Sequence, residues 1–287
     1  MTIDLSRPQE QMLFTTVRIE GTLADGRTTT GTGFIFERKI GADRIPFIIT
    51  NRHVVEGVKN GTIYFHTAEG DEPKLGNGYK LDVTDFDVMW VFHPDPSVDV
   101  AVVPLGPLLK TPTDAGVKVF FRSVSQDLLA TEAQLLDLSL LQRVVFIGYP
   151  NGLWDTANLL PIARTGSIAT LPRIAFQGRP LFLIDASVFP GSSGSPVFVL
   201  DEGGFQDHKG TLHVGETRLI LLGIVAAVYY KTDINDVILA AHAPPSKPVV
   251  VDKEMIDLGM VFNRSALADT IDAAFKEYGL QNDQPQA

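Results

Sequence analysis

The sequence predicts an all-β fold of two six-stranded antiparallel β-barrels followed by a C-terminal α-helix. Three observations lead there. Short runs rich in Val, Ile, Phe and Thr recur along the chain, broken by Gly, Asp and Pro, which is the rhythm of strands and turns. These runs fall into two groups of six, separated by a leucine- and alanine-rich stretch. At 287 residues the chain is long enough for one large domain or two small barrels, and barrel closure removes the exposed edges that short strands leave.

In the first group, strands are expected near 15–21, 31–37, 46–51, 62–66, 88–93 and 100–104. Residues 106–115, with Pro, Gly and Thr, read as a connector, and 125–141 carries Leu and Ala at spacings that suit a short helix. The second group is expected near 143–148, 162–171, 180–187, 195–200, 218–230 and 258–263, with 201–217 forming a long surface hairpin. From Ser265 to Tyr278, Leu267, Ile271, Ala274 and Phe275 share one helical face after an Asn or Ser start, and Gly279 can end that helix. The expected division is an N-terminal barrel over 1–115, an inter-barrel connector over 116–142, a C-terminal barrel over 143–263, and a helix with a polar tail over 264–287.

Composition narrows the function. Lys and Arg total 24 against 34 Asp and Glu, a net charge of −10, which argues against a nucleic-acid partner. With 45% hydrophobic and 20% charged residues, the chain can bury a large core and is unlike a disordered one. There is no cysteine, which excludes disulfides, thiolate metal sites and a thiol nucleophile. Met1 to Phe14 lacks the basic start, apolar run and cleavage site of a secretory signal, and no apolar stretch reaches membrane-spanning length. The cytoplasm is therefore the expected location, with no membrane partner.

The most informative segment is Phe189-Pro190-Gly191-Ser192-Ser193-Gly194-Ser195-Pro196-Val197-Phe198, small residues and turn formers between apolar runs. A serine nucleophile needs a hydroxyl held out from a tight turn, with bare backbone N–H groups aimed at the oxygen that becomes negative. Gly191 and Gly194 around Ser193 suit that need. Alone, the string also reads as a Ser/Gly surface loop. His53 ends the apolar run Phe47-Ile48-Ile49-Thr50-Asn51-Arg52, and Asp99 stands just before Val100-Ala101-Val102-Val103. A solitary histidine there reads as structural, and a solitary aspartate as a turn residue; together the three occur in the order His, Asp, Ser, which separates triad frameworks. An α/β-hydrolase reading fails, since Ser193 is not in a G-x-S-x-G elbow and helices do not alternate with strands.

These segments resemble the signature blocks of the chymotrypsin-like, or trypsin-like, serine peptidases, especially bacterial trypsin-like and HtrA-type members. Thr50-Asn51-Arg52-His53-Val54-Val55 resembles the family's histidine block, Asp99-Val100-Ala101-Val102 its aspartate block, and Gly191-Ser192-Ser193-Gly194-Ser195-Pro196 its serine block. Softer matches are Gly31-Thr32-Gly33-Phe34-Ile35, Leu222-Gly223-Ile224-Val225, and Leu258-Gly259-Met260-Val261-Phe262 before a helix, so the likeness runs from about Thr15 to Tyr278. It implies the chymotrypsin-like double barrel and a serine endopeptidase working through an acyl-enzyme. His53, Asp99 and Ser193 would be the triad, with the N–H groups of Gly191 and Ser193 as oxyanion hole. It also places Ser187 at the base of the specificity pocket, with Ala226 and Val228 along its wall. No acidic residue stands at that base, so the expectation is an apolar or medium-sized residue before the scissile bond rather than Arg or Lys.

Two positions depart from the family pattern. Ser192 stands where digestive members carry an aspartate that pairs with a newly cut N-terminus, and no Ile-Val-Gly-Gly start is present, so no zymogen step is expected. Ser195 replaces the second glycine; Ser192 and Ser195 are flanking turn residues and lesser candidates for nucleophile. Asp95 is the runner-up acid, in a Pro-flanked turn. His66, His208, His213 and His242 show no metal-ligand spacing, so neither metal nor cofactor is expected. Asn60 and Asn263 match glycosylation sequons, a pattern common by chance. The expected partner is a protein or peptide substrate, with an activating protein as a further possibility. The alternative from another class is a trypsin-fold binding or scaffold module, partner-gated or inactive.

Overall fold

A computed structural model of the chain describes residues 3–236 and 249–280, with the side chains of 227–236 and 249–256 excepted. The first half contains α1 (Pro8–Met12), β1 (Thr16–Leu23), β2 (Thr28–Ile40), β3 (Asp43–Thr50), α2 (Arg52–Val55), β4 (Val58–Glu69), β5 (Glu72–Thr84), β6 (Val91–Phe92), β7 (Ala101–Pro104), α3 (Leu105–Asp114), β8 (Val119–Phe120) and β9 (Val124–Ser125). A connecting helix, α4 (Glu132–Asp137), leads to β10 (Arg143–Gly148), β11 (Ile162–Ile168), β12 (Leu181–Asp185), β13 (Pro196–Asp201), β14 (Gly204–Gln206), β15 (Leu212–Val214), β16 (Arg218–Asp236), β17 (Val249–Asn263) and α5 (Arg264–Glu277).

Strand pairing closes the second half into a six-stranded barrel, β10-β11-β12-β17-β16-β13. The first half forms a sheet of nine strands, ordered β5-β4-β1-β2-β3-β7-β6, with β8 on β4 and β9 on β2. That sheet wraps on itself: Leu81 of β5 and Val103 of β7, far apart along the strand order, share one core with Ile19, Ile35, Ile48 and Ile63. A separate core fills the second barrel around Phe146, Phe182, Val197 and Val261. Between the halves lies a third, in which Phe34, Phe47 and Ile49 meet Leu221, Ile224, Phe262 and the α5 residues Leu267, Ile271 and Phe275. The halves are therefore joined by core packing as well as by chain.

The terminal helix is held in the way its sequence implies. Asn263 Oδ1 accepts from the N–H groups of Ser265 and Ala266 at 3.1 and 3.4 Å, capping the helix. Phe275 meets the Phe47 ring at 5.5 Å, while Arg38 stacks on Phe275 at 4.6 Å and pairs with Asp272. The expected hairpin over 201–217 contains the two-stranded β14-β15 sheet.

Elsewhere the elements differ from the sequence expectation for local reasons. The expected connector at 106–115 is instead helix α3, whose Pro107 sits in the first turn where a missing N–H costs nothing. The helix expected over 125–141 contracts to a 3₁₀ turn at Gln126–Leu128 and the six residues of α4, which start at a Thr131–Gln134 capping box. A 3₁₀ turn at Phe86–Met89 takes the front of the strand expected near 88–93. β5 was absent from the expectation because its first half, Glu72–Gly78, is polar, glycine-containing and mostly exposed, and only Tyr79, Leu81 and Val83 at its end carry the alternation of a buried face. Among the described residues, no helix is long and apolar enough to cross a membrane.

Two outcomes follow from this packing. Phe47→Ala removes a fully buried ring from the core shared by both halves and is expected to cost about 3–5 kcal/mol in denaturant unfolding. Burial against Phe14, whose ring lies 5.0 Å away, lowers the His66 pKa from 6.5 to about 4. Between those values the unfolded chain binds the extra proton, so this group makes stability fall as pH drops from about 6.5 to about 4. In His66→Phe that component of the pH dependence should vanish from unfolding curves.

Candidate active site

His53 and Asp99 meet because their strands are paired. Thr50, the last residue of β3, lies opposite Ala101, the first of β7, so the segments beyond them emerge at the same end of the sheet. The short α2 helix then turns His53 back over Asp99. One carboxylate oxygen, Oδ1, accepts the His53 backbone N–H at 2.9 Å, and the other lies 2.5 Å from Nδ1. Asn51 Nδ2 donates to the Asp99 carbonyl at 2.6 Å, fixing the aspartate backbone. With Nδ1 occupied by a carboxylate, the proton resides there and Nε2 is left as the basic nitrogen. Asp95, the runner-up, caps its own turn by accepting from Ser97 N at 2.8 Å.

Ser193 comes from the opposite half, on the loop before β13. Gly191 (φ +84°) and Gly194 (φ +91°) bend that loop through the left-handed region, and the space is as restrictive as the dihedral. A Cβ on Gly194 would overlap the Thr32 carbonyl oxygen, and one on Gly191 the Tyr149 carbonyl oxygen. Of the three neighbouring serines, Ser193 is 9% exposed against 1% for Ser192 and 0% for Ser195, so its hydroxyl is the most open of the three.

The loop's carbonyls are all engaged. Asn151 N donates to Pro190 O at 2.5 Å and Ser195 N to Ser192 O at 3.0 Å. In a trans peptide the N–H points opposite to the C=O, so these two bonds aim the N–H groups of Gly191 and Ser193 the other way. Among the described residues neither N–H has an acceptor. Thr32 supplies the remaining ties: its N–H donates to Ser193 O at 2.9 Å and its Oγ1 to Gly191 O at 2.9 Å. Tyr149 N donates to Thr32 Oγ1 at 3.1 Å, and Thr50 Oγ1 to Thr32 O at 2.7 Å.

The structure thus joins His53 to Asp99 directly and seats two unpartnered N–H groups beside Ser193. It does not join Ser193 to His53: the serine Oγ donates instead to the Ala226 carbonyl at 3.0 Å. Such bonds are often long or absent in unliganded sites. Ser187 is half-buried on the segment leading to this loop, Ala226 is buried beside Ser193, and the Val228 side chain lies outside the described residues. Of the remaining histidines, His208 pairs with Asp137, His213 stacks on Phe205, and His242 lies outside the described residues. Among those described, no cluster of His, Asp or Glu is arranged to hold a metal.

In the sequence Thr32 belongs to the Gly31–Ile35 block, which assigns it no role. Thr32 sits between Gly31 and Gly33, where a Cβ would press on Val54 or Ile48, and that close packing was the available signal. Asn151 adopts φ +50° at its turn, which its short polar side chain tolerates.

A family model for the trypsin-like peptidase domain matches residues 31–205, more than half of the chain. The chain belongs to the trypsin-like peptidase family; the match does not single out the HtrA type. Among solved structures it is similar to the active form of the Rv3671c protease from M. tuberculosis, at 19% identity and a TM-score of 0.47, covering 100% of this chain and 91% of that one. It is also similar to the protease Anisep from Arthrobacter nicotinovorans, at 11% identity and TM-score 0.44, covering 91% and 95%. A third is an inactivated protease paralogue of the scabies mite, at 13% identity and TM-score 0.42, covering 93% and 97%. No curated protein matches.

Thr32→Val keeps the shape of the side chain but leaves Gly191 O and Tyr149 N unpaired in a buried position. Each such loss costs about 1–3 kcal/mol, so unfolding free energy should fall by about that amount or more. Thr32→Ser should recover most of it, which denaturant titration of the three proteins would show.

Proposed function

We propose that the chain is a serine endopeptidase in which Ser193, His53 and Asp99 form the triad and the N–H groups of Gly191 and Ser193 form the oxyanion hole. The observation that carries this reading is the two-point hold of Asp99 on His53, within a chain that belongs to the trypsin-like peptidase family. Ser193 Oγ attacks the scissile carbonyl carbon as its proton passes to His53 Nε2; the carbonyl oxygen becomes negative and takes hydrogen bonds from the two N–H groups. Collapse breaks the C–N bond, His53 gives its proton to the departing amine, and an acyl-enzyme remains. Water, deprotonated by His53, then releases the acid and restores the serine. Asp99 holds the imidazole in the tautomer with Nε2 free and stabilises the imidazolium.

The same geometry supports a hole that needs no N-terminal cleavage to form, because both carbonyls opposite the hole amides are held by the chain's own N–H groups. Ser192 is buried with its hydroxyl unpartnered among the described residues, in the position where the resemblance puts the aspartate of zymogen-type members. One observation favours a second reading, a partner-gated enzyme or an inactive trypsin-fold module: the Ser193 hydroxyl rests on Ala226 O rather than on His53. The peptidase reading requires the serine hydroxyl to turn from Ala226 O to Nε2 when substrate binds.

A fluorophosphonate probe separates the two. The endopeptidase should be labelled at Ser193, with Ser193→Ala abolishing the label and His53→Ala slowing it by at least about 1000-fold, as expected for loss of the base. Mass spectrometry of the labelled chain should find the same N-terminus as before activation. Absence of label on the wild-type protein sinks the constitutive reading and favours the gated or inactive one.

A further inference from the structure

Asn51 is a polar residue, fully buried, that the reaction as written does not use. It stands where β3 ends: Thr50 pairs with Ala101 of β7, and the ladder stops there because Arg52 opens α2. By position Asn51 is the N-cap of that helix, with extended backbone at φ −84° and ψ 147°, and asparagine is among the residues that cap best. Its side chain makes no cap bond. It crosses to the neighbouring strand instead, where Nδ2 donates to the Asp99 carbonyl at 2.6 Å. Oδ1, the other end of the amide, is buried and has no partner among the described residues. Asn51 thus leaves its cap unmade and an acceptor unpaired for the sake of one bond, and that bond falls on the residue that grips His53.

Asp99 needs such a hold. It precedes β7, outside the ladder, and no backbone N–H reaches its carbonyl among the described residues. Val100 N donates to Val98 O at 3.0 Å, folding the chain into a three-residue turn with Asp99 at its centre, so a small change in the Asp99 backbone swings its side chain. Among the described residues the carboxylate hydrogen-bonds only His53, at its backbone N–H and Nδ1. Arg52 acts on Asp99 through space, while its own guanidinium pairs with Glu56 and stacks on Phe92 at 4.8 Å. Apart from His53 itself, the direction of the carboxylate is therefore set from its backbone, and the side chain that holds that backbone is Asn51.

We propose that Asn51 is a positioning residue for the triad: its side-chain amide continues the β3–β7 contact by one bond beyond the ladder and aims the Asp99 carboxylate at His53 Nδ1. The effect on rate rests on the peptidase reading above; the effect on His53 rests on the geometry alone. A displaced carboxylate holds the imidazole less firmly in the tautomer with Nε2 free, and a misplacement of about 1 Å can cost about 100-fold in rate. Residues without a side-chain donor at this position leave the Asp99 carbonyl untied.

The test compares the full wild-type chain with Asn51→Leu and Asn51→Ala. Leucine is close to asparagine in shape and removes the unpartnered oxygen together with the donor, so Asn51→Leu should unfold in denaturant at a midpoint close to that of wild type. Reaction of Ser193 with a fluorophosphonate should nevertheless be about 10- to 100-fold slower at saturating probe in both variants, with the half-saturating concentration within about threefold of wild type. Proton NMR gives a second readout that needs no turnover. The His53 Nδ1 proton, bonded to a carboxylate, should resonate far downfield of the amides in wild type, disappear in Asp99→Ala, and move upfield or broaden in both Asn51 variants.

A wild-type rate of labelling in folded Asn51→Leu overturns the assignment, as does an unmoved His53 resonance in that variant; Asn51 then serves only to satisfy a buried carbonyl. A merely structural role would lower the unfolding midpoint without moving the resonance. If Asn51→Leu does not fold, Asn51→Ala decides on the same two readouts. A wild-type chain that never reacts at Ser193 sinks the peptidase reading instead, and the NMR comparison still tests the hold of Asn51 on the His53–Asp99 pair.

Discussion

Thr32 is the point on which the candidate site depends, because it holds the Ser193 loop from the opposite half of the chain. Its N–H and hydroxyl take the carbonyls of Ser193 and Gly191, and the hydroxyl in turn accepts from Tyr149 at the head of the loop that ties down Pro190. Its own carbonyl, held by Thr50, lies so close to Gly194 that no side chain fits there. A residue with a backbone donor, a side-chain donor and a side-chain acceptor in one place can make all these contacts; alanine or valine cannot. Thr50 ends the strand that leads into α2, so the same contact links the segment bearing His53 to the loop bearing Ser193. The halves are brought together by apolar packing, which is not directional, and set in register by these few hydrogen bonds, which are.

The same division explains why the site is rigid where it must be and free where it can be. Every carbonyl from Pro190 to Ser193 is engaged, so the peptide planes that aim the proposed oxyanion donors cannot flip without breaking buried hydrogen bonds. Asp99 has comparable control of His53, gripping the residue at backbone and ring. Against these fixed parts the Ser193 hydroxyl is a single rotor, resting on Ala226 O. Turning one hydroxyl off its acceptor is far cheaper than refolding a loop.

Much of this was legible in the sequence, and the reason is local. Each residue of the proposed triad sits beside an apolar run, where strand chemistry and turn chemistry meet within a few residues, and Gly191 and Gly194 mark the loop that needs bare backbone. The terminal helix was legible from its apolar face and from Asn263, which the structure shows capping it. β5 was not, because its first half, Glu72–Gly78, is polar and mostly exposed and is held by pairing with β4, while only Tyr79, Leu81 and Val83 pack on the core. Helix α3 was hidden by Pro107 and Pro112, residues that read as a connector unless their place in the turn is known. Thr32 illustrates the deeper limit: Tyr149, Gly191 and Ser193 lie far from it in sequence, and the contacts that give it a role form only when the two halves meet.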